Sequence, residues 1–273
     1  SCYLIQKPIS NKWKSRVNNI YKNYEMFKNA SGNDQKLFNS NKNNQNDRSS
    51  EILKIILKNT KIKNNGNLLD IGCGTGPFLK SFSKKRKKWN LFGLEQDNRF
   101  KKNLTDIKNF KKLFTDKNKI NIKFDLIVMI HTLEHIINPI EYLRSISNLL
   151  TPNGYLFIEV PDFNKSPFDI LVADHTSHFT KNDFNSISQK LNFEKVFLFS
   201  DKIPKEISFL LKNNQSLKIK KTKQLFNKKI LNSKKIILNK YLNRYEKFIK
   251  KINKINGEIA IFGTSIAATW IAQ

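Results

Sequence analysis

Two cysteines in 273 residues, Cys2 and Cys73, cannot build a disulfide framework. No apolar run approaches the roughly 20 residues that span a bilayer. The opening segment Ser1–Pro8 lacks the pattern of a secretory leader. A soluble, cytoplasmic protein with no membrane partner is the expectation. Acidic residues are also scarce: 22 Asp and Glu stand against 50 Lys and Arg, for a net charge of +28. Such a charge invites a nucleic-acid reading. Arginine, however, supplies the bidentate contacts of nucleic-acid readers, and it occurs only at Arg16, Arg48, Arg86, Arg99, Arg144 and Arg244. The other basic residues are lysines, and asparagine is abundant in tracts such as Asn41–Asn46. Excess lysine, asparagine and isoleucine is what an AT-rich genome produces through its codons. Nucleic acid is therefore not the expected partner, although a lysine-rich surface used for RNA stays open as an alternative. The chain does not begin with methionine, so it reads as a fragment, and its length allows one full domain and part of another.

What is present is concentrated in Asn67-Leu-Leu-Asp-Ile-Gly-Cys-Gly-Thr-Gly76. Leu68, Leu69 and Ile71 predict a buried strand that runs into a glycine turn. Gly72, Gly74 and Gly76 let the backbone turn tightly and approach a ligand without a Cβ in the way. A helix is expected next, from the spacing of Phe78, Leu79 and Phe82. A dinucleotide fingerprint needs a third glycine where this chain has Pro77. The next strand ends in Glu95, about 25 residues after Asp70, where a carboxylate can accept both hydroxyls of an adenosine ribose. A ribose-binding corner without a complete pyrophosphate cradle suits S-adenosylmethionine, which carries no phosphate.

The runs LLDIGCGTG, LFGLEQD and FDLIVMIHTLEHIINP, in that order, resemble the class I S-adenosylmethionine-dependent methyltransferases over roughly residues 50–200. The resemblance implies an α/β, Rossmann-like sheet of seven strands and S-adenosylmethionine as cofactor. It implies that Asp70, Gly72, Cys73, Gly74 and Gly76 line the methionine and ribose part of the site. Glu95 would hold the ribose diol and Gln96 would lie beside adenine. His131, Thr132 and Leu133 would border the sulfonium.

The hydrophobic pattern predicts strands near 67–71, 90–95, 111–114, 124–130, 154–160 and 194–199, with helices between them at 51–61, 139–150 and 181–191. Residues 1–50 form an N-terminal segment that could lie over the cofactor as a lid, with Tyr24 as a contact or as packing. Residues 51–202 form the methyltransferase domain, and 203–256 a helical extension with an apolar stripe broken at Lys234. Residues 257–273, from Glu258-Ile-Ala-Ile-Phe-Gly263, begin a truncated second α/β unit.

Two clusters could carry chemistry. His131-Thr-Leu-Glu-His135 matches a zinc-protease pattern, but its first histidine follows a strand directly, the wrong context for two ligands on one helical face. His135 reads either as a helix-start residue or as an acceptor-side group. Asp174-His-Thr-Ser-His-Phe-Thr180 follows the fifth strand, on the carboxyl-end side where open α/β sheets place ligands. Methyl transfer often requires proton removal from the acceptor, and an imidazole suits that task. Asp174 and His175 are therefore the expected acid–base pair, with His178 as a further catalytic candidate; a structural turn is the competing reading. The cluster is similar to one in the sugar C-methyltransferases, with His178 in place of an aromatic residue. That similarity implies a small, sugar-linked acceptor, an N-terminal zinc module ending near Cys2, and a C-terminal Rossmann-like domain. One cysteine cannot hold zinc, so no metal is expected. A non-catalytic adenosine-binding domain remains a further alternative. The oligomeric state, the acceptor and the methylated atom are not legible.

Overall fold

The computed structural model of the chain describes residues 4–22, 34, 36–37, 46–191, 193–214 and 228–257. The expectations for Cys2, Tyr24 and the 258–273 unit lie outside these residues.

Seven strands form one sheet: β1 (Asn65–Ile71), β2 (Lys88–Leu94), β3 (Phe110–Phe114), β4 (Phe124–Ile130), β5 (Leu150–Pro161), β6 (Glu194–Phe199) and β7 (Glu206–Lys212). Their order across the sheet is β6-β7-β5-β4-β1-β2-β3. The five strands from β5 to β3 run parallel, while β7 lies antiparallel between β5 and β6. The sequence placed 203–256 in a helical extension; Glu206–Lys212 instead belongs to the sheet. Its residues Glu206-Ile-Ser-Phe-Leu-Leu211 are all buried, as in a strand covered on both faces, with Ile207 and Phe209–Leu211 as the apolar part.

The helices are α1 (Asn11–Lys22), α2 (Arg48–Asn59), α3 (Pro77–Lys85), α4 (Lys101–Thr105), α5 (Pro139–Ser147), α6 (Lys181–Leu191) and α7 (Lys228–Ile252). Alternation along the strands divides the core in two. Leu69, Ile127, Met129, Ile158 and Phe209 pack with Leu143, Ile146, Phe184 and Ile187 of α5 and α6. Leu68, Leu126, Val128, Phe157 and Leu210 pack with Ile52, Ile56, Leu79 and Phe82 of α2 and α3. On the second face, Phe82 meets Trp89 edge-on at 5.2 Å between ring centroids. Both side chains are fully buried. Truncating such a ring typically costs about 3–5 kcal/mol, so this contact fixes α3 and with it the end of the glycine loop.

α7 docks on the segments that follow β5. The Tyr241 hydroxyl lies 3.0 Å from the Phe163 carbonyl and 2.9 Å from that of Asn164. Lys234, the break in the apolar stripe, is buried and ion-paired with Asp183 of α6. The N-terminal segment straps the same region: Ile5–Gln6 pairs antiparallel with Ser177–His178. Trp13 Nε1 adds a hydrogen bond to the Ala173 carbonyl at 2.9 Å.

Candidate active site

The sheet order reverses between β1 and β4, and that switch point is where an open α/β sheet receives its ligand. The loop after β1 is built for close approach. Gly72, Gly74 and Gly76 all have positive φ, at 74°, 47° and 79°. A Cβ on Gly72 would stand 2.3 Å from Thr132 Oγ1. Thr132 Oγ1 in turn lies 2.9 Å from the Ile71 carbonyl. The loop after β1 and the turn after β4 are thus in van der Waals contact. Pro77, the residue that broke the dinucleotide pattern, is the first residue of α3, where its fixed φ and missing N–H fit the helix start.

Glu95, just beyond β2, accepts from the Gly74 N–H at 3.2 Å and lies 3.4 Å from the Asp97 N. Asp70 is buried, and burial, then the nearby Glu95 charge, pushes its carboxyl well above the usual range. Gln96 is exposed. Two residues expected at the cofactor have side chains packed in the core. Leu133 is fully buried among the residues facing α5 and α6. The Cys73 side chain packs on the opposite face, close to Gly93, and burial raises its thiol well above its ordinary value.

His131 sits at φ 48°, a left-handed position that takes it off the end of β4 without starting a helix. The zinc-protease pattern therefore fails on geometry as well as on context. Its Nδ1 lies 3.1 Å from Glu134 Oε1 and its Nε2 lies 3.4 Å from Glu206 Oε1. Arg48, at the start of α2, reaches the same place. It contacts His131 Nε2, donates to Glu159 Oε1 at 2.8 Å and lies 3.2 Å from Glu206 Oε1. Burial and the Arg48 guanidinium pull the His131 pKa down, but Glu206 and Glu134 outweigh them and raise it to about 10. Burial holds Glu159 above the usual carboxylate range, with Arg48 acting against it. Glu134 stood out only as part of the His131–His135 pattern, and neither Glu159 nor Glu206 stood out in the sequence. Arg48 left a signal as one of few arginines in a lysine-rich chain.

The chain has four histidines, and all four lie in these two segments. The 174–180 segment is tied to the turn after β4 through Thr176. Its N–H donates to the Glu134 carbonyl at 2.8 Å, and its hydroxyl lies 2.9 Å from the Ile136 carbonyl. This brings His135 and His175 edge to face, with ring centroids 4.7 Å apart. The expected Asp174–His175 pair is corrected here. Asp174 binds His135 Nδ1 at 3.0 Å, whereas His175 Nδ1 is held by Asp169 Oδ1 at 2.5 Å. Neighbours in sequence project apart, so each histidine finds its carboxylate on another turn. Asp169 also holds His178 Nδ1, through Oδ2 at 2.5 Å. The two imidazole hydrogen bonds overcome the effect of burial and keep the Asp169 pKa at about 2; His135 does the same for Asp174, also about 2. The His178 side chain is fully buried beside Phe163. His175 keeps an 11% exposed side chain and His135 25%.

A methyltransferase-domain family matches residues 44–197, more than half of the chain. A protein of Invertebrate iridescent virus 6, provisionally named methyltransferase 235L, is 24% identical over 218 residues, covering 73% of this chain and 82% of its own. Among solved structures, coclaurine N-methyltransferase with N-methylheliamine and SAH superposes with a TM-score of 0.53. Identity there is 16%, with 71% of this chain and 67% of that one covered. The plantazolicin methyltransferase BpumL, solved with a desmethyl analogue and SAH, gives a TM-score of 0.51 at 17% identity, covering 61% and 83%. At these identities the likeness is one of fold. No helix among the described residues is long and apolar enough to cross a membrane.

Proposed function

The chain belongs to the methyltransferase-domain family that its residues 44–197 match, and from that premise we propose that it methylates a small acceptor of the sugar-nucleotide class, with S-adenosylmethionine as donor. The observation that carries this reading is the contact between Gly72 and Thr132. It sets the donor loop directly against the turn that holds the histidine cluster. The glycine loop would take the methionine end of the donor, Asp70 would lie under its sulfonium side, and Glu95 would exchange its loop amides for the ribose hydroxyls. The acceptor would enter against His135 and His175. Each imidazole is fixed in one orientation by a carboxylate, so neither must be ordered during the reaction. Methyl transfer is an in-line displacement: the sulfonium becomes a neutral thioether and the acceptor gives up a proton. His175, oriented by Asp169, is the group that activates the acceptor.

An anionic acceptor is favoured by a groove of about 610 Å³ along α7, lined by Phe168, Lys240, Arg244, Lys247 and Lys251. Four cations and an aromatic ring suit a diphosphate joined to a base or sugar. Calorimetry with S-adenosylmethionine tests the donor half: Gly74→Asp and Glu95→Ala should each weaken binding at least tenfold, and unchanged affinity in both would remove the assigned site. Single-turnover assays with nucleotide-sugar pools test the acceptor half. His175→Ala should keep donor affinity and lose turnover.

A further inference from the structure

We propose that Glu134, His135 and His175 hold a divalent transition-metal cation. The inference rests on the reading of this cluster as the acceptor side and deepens it. One potential ligand atom from each of the three residues lies within 4.8 Å of the other two. Three ligands at about 2.0–2.2 Å from one cation lie about 3.3–3.8 Å apart, so side-chain rotation must draw the ligand atoms together by up to about 1.5 Å.

Three further features point the same way. The first is the outer arrangement of both histidines. Asp174 occupies Nδ1 of His135 and Asp169 occupies Nδ1 of His175. A carboxylate on one ring nitrogen fixes the tautomer and orientation of the ring, which is how metal-bound imidazoles are usually held. Two histidines of one cluster share that arrangement, with different carboxylates. The second is Glu134, which is 1% exposed. Its Oε1 meets His131, while Oε2 is buried with no hydrogen-bond partner. A carboxylate oxygen buried without a partner costs free energy that a cation would recover. The third is rigidity. The hydrogen bonds from Thr176 to the carbonyls of Glu134 and Ile136 lock the two ligand-bearing segments together.

Two imidazoles and one carboxylate select a borderline cation such as Zn²⁺, Fe²⁺, Co²⁺ or Mn²⁺ over Mg²⁺ or Ca²⁺, which prefer all-oxygen sites. Three protein ligands leave positions open. An acceptor oxygen could take one of them, beside the donor loop. His175 would then activate the acceptor as a ligand of the cation and not as a free base. His131 is outside the set, since its ring is engaged by Glu134, Glu206 and Arg48.

The test uses the untagged full chain, stripped with chelator and titrated with Co²⁺. Visible absorption and bound-metal stoichiometry are read together with calorimetric affinity for S-adenosylmethionine. The expected result is one Co²⁺ per chain, with binding weakened at least tenfold in Glu134→Gln and His175→Ala and about 10–100-fold in Asp169→Asn. Donor affinity should be retained in every variant, which also reports that each is folded. No stoichiometric Co²⁺ binding by the wild type, or equal binding in Glu134→Gln and His175→Ala, overturns the metal site. If donor binding and His175-dependent turnover persist in that case, the reading of the acceptor side still stands.

Discussion

Gly72→Ala is the sharpest probe of how the donor loop meets the turn after β4. Gly72 has φ 74°, and the left-handed region costs an alanine about 1–2 kcal/mol. The new methyl would lie 2.3 Å from Thr132 Oγ1 and 3.0 Å from its Cγ2, so the threonine must rotate away. Its hydroxyl then leaves the Ile71 carbonyl, 2.9 Å away in the native loop. Losing that bond adds about 0.5–1.5 kcal/mol. The sum is about 1.5–3.5 kcal/mol, measurable as a shift in the urea midpoint with the slope unchanged. Thr132→Ala removes the atoms the methyl strikes, so the two substitutions should not add. The double variant should be about 1 kcal/mol more stable than the sum of the singles implies, because the hydroxyl can be lost only once. S-adenosylmethionine affinity, read in the same samples, should fall in Gly72→Ala. Strict additivity, or a Gly72→Ala variant within about 0.5 kcal/mol of wild type, would refute the contact.

Four further outcomes are expected. Lys234→Ala leaves Asp183 buried without its cation and should destabilise by about 3–5 kcal/mol in thermal or urea unfolding, more than the double variant with Asp183→Ala. Asp70→Asn should stabilise the ligand-free protein. The raised folded pKa of Asp70 means its stabilising contribution is full below the unfolded value near 3.8 and is lost as pH rises through the folded value, so the amide should flatten that decline in pH-dependent unfolding. Cys73, buried with a raised thiol pKa, should resist alkylation at pH 8 and react once the protein unfolds, as read by peptide mass mapping. Tyr241→Phe removes the hydroxyl set between two carbonyls and should cost about 1 kcal/mol while leaving the S-adenosylmethionine affinity intact.

The donor loop was legible because its chemistry is local: three glycines, a strand before and a helix after occupy one stretch of chain. β7 was missed because Glu206–Lys212 is short and lies between lysine-rich segments. A short stretch such as Ile207-Ser-Phe-Leu-Leu211 can equally be a turn of buried helix. The acceptor side was half legible. The histidines announced themselves, but their partners did not. Asp174 adjoins His175 in sequence yet serves His135, while Asp169, in an unremarkable Pro-Phe-Asp-Ile-Leu turn, holds two imidazoles at once. The Arg48, Glu159 and Glu206 contacts join residues more than a hundred positions apart and leave no trace in local pattern.

The placement of β7 bears on how this protein can be cut. β6 reaches the sheet only through β7, and β7 pairs with β5 along seven residues. A polypeptide trimmed to 44–197, the span that matches the methyltransferase-domain family, would keep β5 and most of β6 but lose the strand between them. β5, buried on both faces, would become a bare edge able to template pairing with another molecule. The trimmed chain would also lack the Ile5–Gln6 strap over the histidine segment. Expressed alone, that span should aggregate, whereas a version carried through Lys212 closes the sheet: the family match is smaller than the unit that can fold.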